Sequence, residues 1–247
     1  MITLVAGASG ATGKQLVEQL LQMKQRVKII VRPTAKIPNT WNDNEKITII
    51  RANISEMSVD EMVNYTKDCG AILSCLGHNV TIKGILGKPR KLVTNSVKLL
   101  CNAIEKNSSD SIVKFVLMNT AGNSNRDLNE TLSRGEKIVT SIIRALVPPQ
   151  SDNENAADFL RLNIGQSNAK IEWVAVRPDS LINENNVSDY KLYPSPTRSA
   201  IFNPGKTSRI NVGNFMARLI TENSLWEEWK GKMPVIYNKE IRNFAEN

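Results

Sequence analysis

One histidine, three cysteines and a 5% share of aromatic residues are what this 247-residue sequence has least of. Each scarcity excludes something. A lone histidine, with no Cys-x-x-Cys spacing beside it, makes no metal-ligand set, and no metal is expected. Cys69, Cys75 and Cys101 are odd in number and sit in or near apolar segments. They read as reduced, buried thiols of a cytosolic protein. The few aromatic residues do not alternate with basic ones, so a base-stacking platform for nucleic acid is not expected. No apolar run approaches the ~18 residues of a membrane span. Met1 runs straight into "ITLVAGA" without a basic segment before it, so a signal peptide is not expected either, and a cytoplasmic location follows.

What is present is ordinary for a globular protein: 41% hydrophobic and 23% charged residues, in a length that one α/β domain can fill. The net charge is +8. It is scattered, with one denser patch at "KGILGKPRK", Lys83 to Lys91. Such a surface suits a phosphate-rich cofactor or an acidic substrate.

Along the chain, short apolar runs alternate with helical patterns. Strands are expected at "ITLVAGA", Arg26–Val31, Lys46–Ala52, Ala71–Gly77, Val113–Gly122 and Ile171–Asp179. Leu16, Val17, Leu20 and Leu21 share a helix face after the first strand, and Val97, Leu100, Cys101 and Ile104 share another. Ser58 with Glu61 three residues on matches a capping box. "GEKIVTSIIRALV" reads as a helix stopped by Pro148 and Pro149, with a new helix starting at "DNENAADFLRL". Strands that are apolar throughout and separated by helices predict a doubly wound parallel sheet, covered on both faces. The stretch after residue 180 is rich in Pro, Ser and Gly, followed by a helix "VGNFMARLIT" and a strand "MPVIYN". It reads as a small substrate-side cap (181–247) on the cofactor-binding core (1–180) of a single domain.

Gly7, Gly10 and Gly13 stand three apart between the first strand and the first helix. A strand-to-helix turn at the carboxyl edge of such a sheet is where ligands bind, and the free N–H groups of the helix suit a pyrophosphate. Gly7 permits the tight turn, Gly10 the approach of phosphate oxygens, and Gly13 the packing of helix on sheet. Dinucleotide binding is therefore expected at Gly7, Ser9, Gly10, Ala11, Thr12 and Gly13. After the second strand come Arg32, Thr34 and Lys36, with no acid before Asp43. An acid would take the ribose hydroxyls of NAD, whereas Arg32 and Lys36 offer a fork and a point charge to the 2′-phosphate of NADP.

The spacing is GxxGxxG rather than GxGxxG. "GASGATG" together with a sixth strand ending "VAVRPDSL" resembles the atypical short-chain dehydrogenase/reductases, in their NmrA-like and biliverdin/flavin-reductase-like branch. The resemblance covers residues 1–180 and is looser beyond. It implies a Rossmann-type fold that binds NADPH. It places Asn53 and Ile54 beside the adenine, Leu76 and Gly77 near the ribose and pyrophosphate, and Thr120 and Ala121 near the nicotinamide. It makes Arg177 and Pro178 the floor of a substrate pocket, and Phe159 stands where most short-chain reductases carry the tyrosine of a Tyr-x-x-x-Lys pair.

That pair is absent: the residues four after Tyr65, Tyr190, Tyr193 and Tyr237 are Cys69, Pro194, Thr197 and Ile241. Either the proton comes from elsewhere or the protein binds NADP without redox chemistry. Members of the resembled branch make do with hydride transfer and a solvent proton. Local donors are His78 on the ligand edge after the fourth strand, Thr120, and one of Asp152, Asn153 and Glu154. Lys88, Arg90, Lys91, Arg198, Lys206 and Arg209 make an anionic substrate reasonable where they line the cleft. The leading expectation is an NADPH-dependent oxidoreductase acting on a small carbonyl-bearing or planar molecule. The alternative is a non-catalytic redox sensor with a protein partner, and epimerase-like chemistry comes third. A monomer or weak homodimer is expected.

Overall fold

Side chains in the strands point alternately into two cores, which is why helices cover both faces of the sheet. The computed structural model describes residues 1–78, 89–108, 111–128, 130, 135, 139 and 148–239. Lys83 to Lys88 of the basic patch, and most of the helix read over residues 135–147, lie outside the described residues.

Six parallel strands form the body of the sheet: β1 (Ile2–Ala6), β2 (Arg26–Val31), β3 (Ile47–Arg51), β4 (Cys69–Ser74), β5 (Val113–Met118) and β6 (Ile171–Pro178). Their spatial order is β3-β2-β1-β4-β5-β6, the doubly wound order of the Rossmann fold. Leu4, Ala6, Ile72, Phe115 and Ala175 enter one core, beneath α2 (Val59–Thr66), α3 (Leu92–Lys106) and α4 (Pro148–Phe159). Val5, Leu73, Val116 and Val174, their neighbours in sequence, enter the other, as does Ile29. That core lies beneath α1 (Ala11–Gln22), α5 (Arg209–Thr221) and α6 (Asn223–Trp229). The capping box forms as read: the Ser58 hydroxyl accepts from the Glu61 amide at 3.2 Å, and the Glu61 carboxylate accepts from the Ser58 amide at 2.8 Å.

Two expectations need correcting. Pro148 and Pro149 form the first turn of α4, which thus starts four residues before the "DNENAADFLRL" read as its beginning. A first-turn proline forfeits only an N–H that has no intrahelical partner, and its fixed φ suits the helix. Asp152, Asn153 and Glu154 consequently lie inside α4, not on a turn entering it.

The segment read as a cap also does more than cover. β10 (Val235–Asn238) pairs parallel with β6 and antiparallel with β8 (Tyr190–Tyr193), which carries the sheet to eight strands. α5 packs on α1 so closely that a Cβ on Gly213 would lie 2.8 Å from the Leu16 amide nitrogen. β7 (Ser180–Ile182) and β9 (Lys206–Ser208) form a separate ribbon. The strand read at "MPVIYN" is β10, whereas β8, four residues in a loop-rich stretch, is too short for a period to show.

Candidate functional site

The carboxyl ends of β1, β2, β3 and β4 open on a cleft of about 340 Å³. The glycine loop builds its wall. β1 stops at Ala6 because Gly7 turns with φ +79°, a left-handed conformation that glycine adopts without strain. A Cβ on Gly7 would lie 2.7 Å from the Cys75 carbonyl carbon, so the loop is pressed against the exit of β4. A Cβ on Gly13 would lie 2.2 Å from the Gly7 carbonyl oxygen and 2.9 Å from the Ala8 Cα. Gly13 therefore lets α1 seat on the loop itself, not on the sheet as its position alone suggests. Gly10 is different. A Cβ there would meet only the Gly7 oxygen, at 3.2 Å, and the residue faces the cleft.

Gly10 is also the N-cap of α1, with no side chain capping the helix and no acidic residue in its first turn. The first intrahelical bond runs from the Lys14 amide to the Gly10 carbonyl at 2.9 Å. The amides of Ala11, Thr12 and Gly13 thus have no acceptor within the helix, and the helix dipole adds to their partial positive charge. A glycine wall with donors behind it fits a pyrophosphate.

Most of the expected cofactor residues meet here. Gly7, Ser9 and Gly10 line the cleft from the loop, Arg32 from the end of β2, Asn53 and Ile54 from beyond β3, and Leu76 and Gly77 from beyond β4. Ala11 and Thr12 form the first turn of α1 behind the loop. Lys36 is exposed and does not line the cleft, and neither do Thr120 and Ala121, which follow β5. The Thr120 hydroxyl accepts from the Gly122 amide at 3.2 Å. Sequence reasoning missed Ser55, Pro89 and Leu92, which also line the cleft. Leu92 carries no signal of its own. It arrives because the N-terminus of α3 lies over the end of β4.

His78 lines the same cleft. Its Nε2 donates to Asp152 Oδ2 at 2.8 Å, with side-chain exposures of 6% and 0%. Asp152 is anchored in turn by the start of α3. Oδ2 also accepts from the Val93 amide at 2.8 Å, while Oδ1 accepts from the Thr94 amide at 2.9 Å and lies 2.6 Å from the Thr94 hydroxyl. The carboxylate is thus surrounded by donors, and its reach toward the cleft is through the imidazole. The contact with Asp152 at Nε2 fixes the orientation of the ring.

Two expected substrate residues turn inward. Arg177 is fully buried, and all its N–H donors are used within the protein. Nε donates to the Met233 carbonyl at 2.7 Å, Nη1 to the Asn123 carbonyl and Glu130, and Nη2 to Glu130 at 2.7 Å and the Pro194 carbonyl. It locks β6 to three loops and has no donor left for a substrate. Phe159 packs against the first core with the Lys98 ammonium 5.5 Å from its ring centre, and it does not line the cleft. Pro178 ends β6, its carbonyl accepting from the Ala121 amide at 2.8 Å. Arg90 and Lys91 are exposed beside Pro89 and Leu92. Arg209 is turned away to the Leu181 carbonyl and Asn183.

The three thiols are free and buried. Desolvation pushes Cys69 up to about 11 and Cys75 up to about 12, so neither supplies a thiolate at neutral pH. Among the described residues there is no group of three metal-ligating side chains, and no helix long and apolar enough to cross a membrane.

A family model described as NAD(P)H-binding matches residues 7–223, the glycine loop included. The chain belongs to the NAD(P)H-binding family. A sequence relative is an uncharacterized chloroplastic protein of Arabidopsis thaliana, 44% identical over 52 residues, which make up 21% of this chain and 19% of that protein. Among solved structures, the oxidoreductase ylbE from Lactococcus lactis is similar with a TM-score of 0.70 and 14% identity, over 97% of this chain and 92% of its own. A short-chain dehydrogenase/reductase from Veillonella parvula in complex with NADP is similar with a TM-score of 0.68 and 15% identity, over 96% and 94% of the two chains. An anaerobilin reductase from Escherichia coli O157:H7 is similar with a TM-score of 0.66 and 13% identity, over 98% and 99%. At such identities the shared property is the fold. It is the fold of NAD(P)H-binding short-chain reductases, as the resemblance in the sequence implied.

Proposed function

We propose that this chain is an NADPH-dependent oxidoreductase that reduces a small carbonyl-bearing or planar substrate without a Tyr-x-x-x-Lys pair. The observation that carries the reading is His78: a titratable ring, held by a buried carboxylate, lining the same cleft as the glycine loop. The dinucleotide, when bound, supplies the hydride. The chain's residues do the rest. The amides of Ala11 and Thr12, behind Gly10, hold the pyrophosphate. Arg32, exposed at the cleft rim with no acid in its loop, faces the 2′-phosphate and selects NADPH over NADH. His78 hands over the proton through Nδ1, oriented by Asp152. Arg90 and Lys91 beside the cleft favour an anionic substrate.

Fluorescence titration with NADPH and NADH tests the cofactor. Loss of the reduced-nicotinamide absorbance over a panel of quinones, flavins, linear tetrapyrroles and enones tests the reaction. Arg32→Asp is expected to weaken NADPH about 100-fold and NADH less than about threefold, a differential of about 2 kcal/mol. Equal losses for both would remove the basis for choosing NADPH. His78→Ala is expected to lower turnover by about 10²-fold or more and to erase one limb of the pH profile. An unchanged profile rules His78 out as the donor.

A second reading, a redox sensor that binds NADP and acts through a protein partner, is favoured by Phe159. That ring carries no hydroxyl and is turned to Lys98. Tight NADPH binding with no turnover across the panel would select it.

A further inference from the structure

Arg51 closes β3, and its Cα is the register partner of Val31, the residue before Arg32. Neighbouring strands lie about 4.8 Å apart, so β3 brings a second guanidinium-bearing residue one strand spacing from the β2 exit. This side chain does not simply extend into water. Its Nη1 lies 3.4 Å from the Pro33 carbonyl oxygen and 3.4 Å from the Ala35 carbonyl oxygen. The Ala35 amide donates back to the Arg32 carbonyl at 2.9 Å. Residues 32–35 therefore form a turn, and one terminal nitrogen of Arg51 bridges two of its carbonyls. Glu56, an acid near this rim, is engaged by Asn53 Nδ2 at 2.6 Å.

We propose that Arg51 is a specificity-determining positioning residue for the cofactor's 2′-phosphate, acting by holding the turn that presents Arg32 to the cleft. The inference rests on the NADPH reading above. Arg32, Pro33, Thr34 and Lys36 are all exposed, and within the turn it is Ala35 that packs against the second core, so packing holds the turn at its end and leaves the carbonyl of Pro33 to Arg51. With Arg51 in place, the ordering cost of the turn is met before the nucleotide arrives. Without it, the two carbonyls turn to water and the ordering cost falls on the binding step. That cost is felt by a ligand that draws on Arg32, a dianionic phosphate monoester. It is not felt by NADH, which has only hydroxyls there.

The test is titration of NADPH, NADH and adenosine 2′,5′-bisphosphate against wild type, Arg51→Ala, Arg51→Lys, Arg32→Ala and the Arg32→Ala/Arg51→Ala double variant. The two residues are exposed, and thermal melts of all five proteins check that each is folded. The expected result is a loss of about tenfold for NADPH and the bisphosphate in Arg51→Ala, with NADH within about twofold. Arg51→Lys keeps a cation with donors for both carbonyls and recovers most of the affinity. The double variant is expected to be no weaker than Arg32→Ala alone, because Arg51 acts through Arg32. Equal weakening of NADPH and NADH by Arg51→Ala, no change in either, or a further loss in the double variant overturns the inference. A wild type that binds NADPH and NADH alike removes the NADPH reading and this inference together. A preference for NADPH that Arg51→Ala leaves undiminished removes this inference alone.

Discussion

Gly13→Ala is expected to lower the thermal midpoint by roughly 6–12 °C, a cost of about 3 kcal/mol in a chain of this size. Alanine is the better helix former and by itself would add up to about 1 kcal/mol of stability. The contact outweighs that. The new methyl would stand 2.2 Å from the Gly7 oxygen and 2.9 Å from the Ala8 Cα, both backbone atoms that cannot rotate away. The loop cannot retreat either, since Gly7 is already against the Cys75 and Leu76 backbone, where a Cβ would lie 2.7 to 2.8 Å from its neighbours. Relief comes only from moving α1 off the loop, which breaks the 3.0 Å bond from the Gly10 amide to the Gly7 carbonyl and disperses the donors that face the cleft. Dinucleotide binding is therefore lost along with stability. Gly10→Ala is the matched control. Its methyl meets one protein atom at 3.2 Å, so the melting temperature should move by no more than about 2 °C. It stands where the pyrophosphate is expected, so affinity should fall at least about tenfold. Calorimetric melts and NADPH titration of both variants check this. A stable Gly10→Ala protein with full affinity would mean that no phosphate approaches this backbone.

The second large effect belongs to Arg177. Arg177→Met is expected to destabilise by about 3–5 kcal/mol, because it leaves the Glu130 carboxylate, itself only 5% exposed on its side chain, without its bidentate partner. Three carbonyl acceptors, those of Met233, Asn123 and Pro194, lose their donor in the same step. Glu130 would still accept from the Asn125 amide at 2.7 Å, which does not neutralise a buried charge. Pairing Arg177→Met with Glu130→Leu removes the orphaned charge and should recover a substantial part of the loss, since two apolar groups can replace a buried ion pair at little net cost. Urea unfolding of the single and double variants measures both. Nucleotide affinity of the folded fraction should stay as in wild type. A variant that melts normally yet loses turnover would return Arg177 to the substrate pocket.

Both effects show how far local sequence carries. The glycine loop was legible because its requirement is local: a strand, a left-handed turn and a helix start follow one another between Ile2 and Ala11, and glycine is the residue that tolerates the turn. Asn53, Ile54, Leu76 and Gly77, which the resemblance placed around a cofactor, meet at the cleft because each follows the carboxyl end of a strand. Arg32 stood out by the absence of any acid around it. Ser58 and Glu61 were legible for the same reason, as a cap is written within one helical turn.

Where the sequence by itself misled, the deciding partner was distant. Pro148 was read only as a stop, yet it lies in the first turn of α4, since nothing near it tells that a helix begins there. Arg177 was a cleft residue by the resemblance alone. Its carboxylate comes from a loop 47 residues earlier and its Met233 acceptor from 56 residues later. Asp152 reads as one acid among several, until the N-terminus of α3 brings the amides of Val93 and Thr94 to its oxygens and His78 to its edge. Apolar periodicity and turn chemistry, which act between near neighbours, determined the doubly wound sheet and its glycine-lined edge. Which polar groups face the ligand and which are spent holding the protein together was decided only in three dimensions, because a buried hydrogen-bonding group is satisfied by whatever donor or acceptor the fold brings to it, at any separation along the chain.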